Sequence, residues 1–151
     1  EVGYTIEFGR PGVGVRFHQI QEMTRALAKM GVAFEKKNPI THLMTDQSTG
    51  DLREDLLNEK ILSAIVEIKT TVNEARDVLE TVRRVNLDID TVTAVGISTR
   101  CDEDGEDRLL APILDELGFR YYRAKTNMGL GRATNNEKKE GVHDEHLAPV
   151  R

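Results

Sequence analysis

Three glycines interleaved with two arginines mark Gly9-Arg10-Pro11-Gly12-Val13-Gly14-Val15-Arg16-Phe17-His18 as the stretch of this chain best equipped to hold an anion. Glycine lets a backbone approach a ligand closely, and Arg10 and Arg16 carry fixed positive charge. A helix following them would turn its free N–H groups toward a phosphate or carboxylate. Arg10, Gly12, Gly14 and Arg16 are therefore candidate binding residues, with His18 beside them as a candidate acid/base. Gly12-Val13-Gly14 lacks the third glycine of a dinucleotide fingerprint, and no Gly-Lys-Ser/Thr follows, so neither nucleotide motif is complete. The competing reading is a turn whose glycines serve geometry alone.

A second polar loop, Thr45-Asp46-Gln47-Ser48-Thr49-Gly50, offers the hydroxyls of Ser48 and Thr49 to the same kind of ligand, or else supplies ordinary capping chemistry. His42 lies just before it and is the second acid/base candidate. An enzyme built from these parts needs His18 or His42 in one pocket with Arg16 as the anchor.

Other residues carry weaker signals. Cys101 has Arg100 on one side and Asp102, Glu103 and Asp104 on the other. Their charges push a thiol pKa in opposite directions, so a packed, inert cysteine is the simpler expectation. The acidic run Asp102 to Asp107 lacks the alternating ligand positions of a calcium loop and suits the start of a helix instead. His143 and His146 have a metal-compatible spacing, but Gly141 and Pro149 argue against the helix they would need. Gly129-Leu130-Gly131-Arg132 is a second glycine-arginine cluster and reads as linker. No pattern names a cofactor.

The elements that must position these residues follow from periodicity. Tyr4, Ile6 and Phe8 alternate with polar residues, and Val13, Val15 and Phe17 repeat the period beyond the glycine turn, which predicts a hairpin. Ile20, Met23, Leu27 and Met30 fall on one helical face, Gly31 caps it, and Val32-Ala33-Phe34 resumes an extended pattern. Asn38-Pro39 breaks that strand, and Ile40 to Met44 is expected as another. Asp51 to Lys60 is expected as a helix carrying Leu52, Leu56 and Leu57. The apolar run Ile61 to Ile68 predicts a strand covered on both faces. Thr71-Val72-Asn73-Glu74 has the order of a capping box, and Val72 to Val85 is the clearest amphipathic helix. Ile89 to Ile97 is β-rich, Leu109 to Leu117 is helical with Pro112 near its start, and Phe119 to Tyr122 is expected as a last strand.

Strand, helix, strand, helix, strand of these lengths suggests a parallel crossover. The expected fold is a single α/β domain over residues 1–125. Its mixed sheet has about five strands, with a parallel β-α-β-α-β C-terminal part and an N-terminal hairpin. Residues 126–151 are expected as a flexible tail or partner-binding arm, because core residues are few there. A ferredoxin-like α+β arrangement is the alternative, and it calls for a hairpin partner to Ile89–Ile97 that the acidic loop does not offer.

Composition bounds the rest. With 151 residues, 38% of them hydrophobic, the chain fills one core of ordinary size. A net charge of −5 with the two signs interspersed leaves no basic face for nucleic acid. No apolar run approaches the roughly 20 residues of a membrane span, and no signal-peptide pattern opens the sequence. A lone cysteine suits a reducing compartment, so a cytoplasmic protein is expected. Two functions fit. One is an accessory or binding protein that holds an anionic metabolite and assembles as a homo-oligomer or complex subunit. The other is an enzyme acting on a phosphorylated or carboxylated small molecule.

Overall fold

Val2, Tyr4, Ile6 and Phe8 are all buried while Gly3, Thr5 and Glu7 are half-exposed, so strand β1 (Val2–Phe8) is sealed on one face only. The computed structural model describes residues 1–122. The elements after β1 are β2 (Val15–Arg16), α1 (Phe17–Ala28), β3 (Ala33–Phe34), α2 (Pro39–His42), β4 (Met44–Asp46) and β5 (Asp51–Leu52). A 3-10 turn at Glu54–Leu56 then leads to β6 (Lys60–Ile61), β7 (Ala64–Thr70), α3 (Ala75–Asp88), β8 (Thr93–Ser98) and α4 (Ala111–Glu116).

The main sheet has the order β3-β7-β1-β8, and every neighbouring pair is antiparallel. This corrects the expected parallel core. β7 and β8 do run the same way, but β1 lies between them and bonds to both, with Ile6 opposite Val66 on one side and Val95 on the other. The partner that β8 needed is the N-terminal strand, nearly ninety residues away in sequence, rather than a local hairpin. Strand order and directions are those of the ferredoxin-like alternative, two β-α-β units whose strands interleave. Residues 119–122 form no strand.

One-sided burial also corrects the expectation for Ile61–Ile68. β7 alternates buried Ala64, Val66, Ile68 and Thr70 with half-exposed Ile65 and Glu67 and exposed Lys69, as a sheet with helices on one face requires. Those helices are α1, which buries Ile20, Met23 and Leu27, and α3, which buries Ala75, Val78, Leu79, Val82 and Val85. The capping box ahead of α3 forms as expected, with the Thr71 N–H and hydroxyl both donating to Glu74 at 2.8 Å. Pro112 sits in the first turn of α4, where it removes no helical bond, and Gly118 follows that helix at φ +68°.

Three further expectations yield to tertiary contacts. β2 does not pair with β1. The N–H groups of Val13 and Gly14 both donate to the Gly9 carbonyl at 3.0 Å, the loop closes on itself, and β2 pairs with β6. Residues Ile40 to Met44 open as helix α2 because Pro39 occupies its first turn and the Asn38 side chain accepts the Ile40 N–H at 2.9 Å. Residues Asp51 to Lys60 form no α-helix. Gln21 in α1 accepts the Leu52 N–H at 2.9 Å, and Thr24 donates to the Gly50 carbonyl at 2.6 Å, which holds that segment extended along α1.

Candidate functional site

The chain enters α1 directly from β2, so Arg16 and His18 flank the first helical residue. Across the short β2–β6 ladder Arg16 stands opposite Lys60. Like charges in direct cross-strand register cost stability, and among the described residues no carboxylate forms an ion pair with either. Both line an open hollow of about 310 Å³ with Val13, Gly14, His18, Gln19 and Asp90. Arg16 is held in place by its Nη1 group, which donates to the Asn58 carbonyl at 2.6 Å and leaves its other donors available.

Gly14 is required here. Its φ is +77°, and a Cβ at this position would lie 2.8 Å from Lys60 Cε and 3.0 Å from the Ile61 carbonyl oxygen. A side chain would thus push Lys60 out of its place. Thr91 donates to the Gly14 carbonyl at 2.7 Å, and Gly9 donates to the Val92 carbonyl at 2.9 Å. These two bonds clamp the glycine loop to the segment carrying Asp90, which is how a carboxylate comes to the rim.

The backbone contributes less positive character than the sequence suggested. The Phe17 N–H donates to the Glu59 carbonyl at 3.2 Å and the His18 N–H to the Leu57 carbonyl at 3.0 Å. Gln19 accepts the Arg16 N–H at 2.9 Å. The groups at the start of α1 are therefore largely occupied, and the positive charge at this hollow is that of the Arg16 and Lys60 side chains.

Of the residues singled out in the sequence, Gly14, Arg16 and His18 converge on this hollow. Arg10 and Gly12 do not line it, and Arg10 pairs instead with Glu7 at 3.4 Å. Ser48 lines a separate hollow of about 490 Å³ with Ala28, Gly31, Phe34 and Lys36. That hollow lies at the far end of α1, about 16 Å away at 1.5 Å per residue. The Ser48 N–H and hydroxyl donate to Asp46 at 2.8 and 2.7 Å, which holds that carboxyl below its usual range. The Thr49 hydroxyl donates to Asp51 at 2.6 Å, and with Arg25 it lowers the Asp51 pKa. Both hydroxyls thus stabilise the β4–β5 turn. The His42 ring Nε2 lies 2.8 Å from the Lys36 carbonyl, and the residue lines neither hollow.

Lys60 and Asp90 carry no sequence signal that links them to Arg16, since only the β2–β6 register and the Thr91 clamp bring them there, whereas Gln19 reaches Arg16 through the local first turn of α1. Cys101 is half-buried and lines neither hollow. In the acidic loop Asp107 accepts the N–H groups of Leu109 and Leu110 at 3.2 and 2.8 Å, and Asp102 accepts those of Asp104 and Glu106. Among the described residues no group of three His, Cys, Asp or Glu side chains is placed to hold a metal ion, and no helix is long and apolar enough to cross a membrane. The Gly129–Arg132 cluster, His143, His146 and the expected tail from 126 to 151 lie outside the described residues. No protein-family model matches the chain, and no curated protein and no solved structure matches it.

Proposed function

We propose that this chain is a small cytoplasmic binding protein whose ligand is an anionic metabolite, phosphorylated or carboxylated, held at the hollow where β2 enters α1. It works as a homo-oligomer or a subunit of a larger assembly. The observation that carries the proposal is the cross-strand Arg16–Lys60 pair, two cations in one hollow with no carboxylate paired to either among the described residues. A bound dianion offsets the repulsion between them, and His18 adds a further donor. Asp90 at the rim repels a second anionic group and accepts from a hydroxyl or ammonium, so the favoured ligand carries negative charge at one end and a donor at the other. A hollow of about 310 Å³ is at the small end of the size range for metabolite sites.

Titration of the full chain with inorganic phosphate, pyrophosphate and citrate, followed by amide NMR, tests this. Shifts centred on Gly14, His18 and Gln19 are expected. Arg16→Ala and Lys60→Ala should each weaken binding about tenfold, the loss of one charge-assisted contact. Ser48→Ala and His42→Ala should change nothing. Saturating shifts elsewhere, or binding indifferent to both cation substitutions, would overturn the assignment. A second reading, an enzyme with His18 as acid/base, is favoured by His18 lining the same hollow as Arg16. It requires turnover of a phosphorylated or carboxylated compound that His18→Ala abolishes while binding persists.

A further inference from the structure

Gln19 is only 8% exposed, yet it lines the Arg16–Lys60 hollow. The Arg16 N–H donates to its Oε1 at 2.9 Å, and since a backbone N–H can bond only to the oxygen, this contact fixes which way the amide points. Among the described residues its Nε2 meets no acceptor. A buried amide locked in this way offers the hollow a neutral donor of fixed direction.

Asp90 offers the opposite chemistry. It lies between buried Ile89 and Thr91, whose hydroxyl donates to the Gly14 carbonyl at 2.7 Å, so its backbone is fixed beside the glycine loop. It lines the same hollow but forms no ion pair with Arg16 or Lys60. The fixed charges therefore share a space of about 310 Å³ without neutralising one another, and the two cations exceed the one carboxylate by a single positive charge.

We infer that the ligand of this hollow is an amino dicarboxylate, a small molecule with two carboxylates and one ammonium. This rests on the anion-site reading proposed above and chooses among the ligands which that reading allows. Asp90 takes the ammonium, and Arg16, Lys60 and the Gln19 amide take the carboxylates. The net charge of such a ligand, one negative, matches the single excess positive charge. A phosphate ester or a simple dicarboxylate also satisfies the cations, but it brings two negative charges toward Asp90 with nothing to meet that carboxylate, and like charges brought together select against it. A hydroxyl would bond to Asp90 and leave its charge uncompensated, whereas an ammonium does both. The donors also stand at separate points. Arg16 is tethered through Nη1 to the Asn58 carbonyl, Gln19 is locked to the Arg16 N–H, and Lys60 is on the facing strand. Two carboxylates suit such an arrangement, one of them against the free edge of the planar guanidinium. The oxygens of one phosphate need donors that converge on a single centre.

Isothermal titration calorimetry of the full chain is the test, with L-glutamate and L-aspartate set against their deaminated counterparts, glutarate and succinate, and against phosphoethanolamine. The amino dicarboxylates should bind about tenfold more tightly than the deaminated acids, the worth of one charged contact. Asp90→Asn should remove that preference by weakening glutamate and strengthening glutarate, a crossing that a merely disturbed fold would not produce. Gln19→Glu keeps an oxygen for the Arg16 N–H, as glutamate does in a capping box, but replaces the donor with a negative oxygen. It should weaken glutamate and glutarate alike by about tenfold. Equal binding of glutamate and glutarate to the wild type overturns the proposal and leaves the anion site standing. Tighter binding of phosphoethanolamine than of either amino acid does the same. An unchanged preference in Asp90→Asn, or undiminished binding by Gln19→Glu, also overturns it. If none of these compounds binds, and neither phosphate nor citrate does, the anion site itself fails and this proposal with it.

Discussion

Replacing Gly50 by alanine tests how α1 is held against the segment that follows it, and the size of the effect can be worked from the geometry. Gly50 has φ +76°, and a Cβ there would lie 2.3 Å from the Thr24 carbonyl oxygen, 2.4 Å from its carbon and 2.7 Å from the Arg25 nitrogen. All three atoms are α1 backbone, so no side-chain rotation relieves the overlap. The β4–β5 turn would have to retreat from α1 by about 1 Å, the difference between these contacts and an ordinary van der Waals approach. That retreat strains the 2.6 Å bond from Thr24 to the Gly50 carbonyl and the 2.9 Å bond from the Leu52 N–H to Gln21, both of them buried. Overpacking costs about 1–3 kcal/mol and a weakened buried hydrogen bond about 1 kcal/mol, with about 1 kcal/mol more for alanine at positive φ. The expected loss is about 3–5 kcal/mol, a large share of the stability of an ordinary domain.

Gly12 supplies the control. Its φ is +71°, yet a Cβ there meets nothing within 4 Å. Gly12→Ala therefore carries only the conformational cost, which the reduced freedom of the unfolded chain partly offsets, for a net loss of about 1 kcal/mol. Urea unfolding followed by circular dichroism should separate the two variants by about 2–4 kcal/mol with unchanged slopes. In a thermal scan the Gly50 variant should melt on the order of 10 °C below the wild type. Equal destabilisation of the two variants would refute the account, because it would mean that α1 and the turn do not press together as described.

Two further outcomes follow from the same contacts. Gln21→Leu removes the acceptor of the buried Leu52 N–H and should cost about 1–3 kcal/mol in urea unfolding, whereas Gln47→Leu on the adjacent exposed turn should cost little. Asp46, Asp51 and Glu74 are all held below the ordinary carboxylate range, by Ser48, by Thr49 with Arg25, and by Thr71 respectively. The folded chain therefore releases these protons more readily than the unfolded chain. Their stabilisation is complete above the unfolded carboxylate values and is lost as pH falls through the lower folded ones. Urea midpoints measured from neutral to acid pH should drop in that window, and Asp46→Asn combined with Asp51→Asn should flatten the drop. An acid limb that is unchanged in the double variant would show that these carboxylates are not linked to folding.

What the sequence determined by itself was local. The period-two run of β1, the apolar stripes of α1 and α3, the Thr71–Glu74 capping box and the glycine after α4 each depend on residues a few positions apart, and each is present in the structure. The glycine-arginine segment also stands out by residue type alone, which reveals flexible backbone and fixed charge, and its Gly14, Arg16 and His18 line one hollow. Tertiary structure decided which strands are neighbours and which candidate residues meet. Strand lengths and order are the same for a parallel crossover and for interleaved β-α-β units, and only the insertion of β1 between β7 and β8 distinguishes them. Likewise, nothing near Lys60 in the sequence links it to Arg16, and nothing near Leu52 shows that Gln21 will take its N–H and hold the segment extended. Those outcomes belong to groups brought together from distant parts of the chain, whose hydrogen bonds and charges act over a few ångströms of space regardless of their separation in sequence.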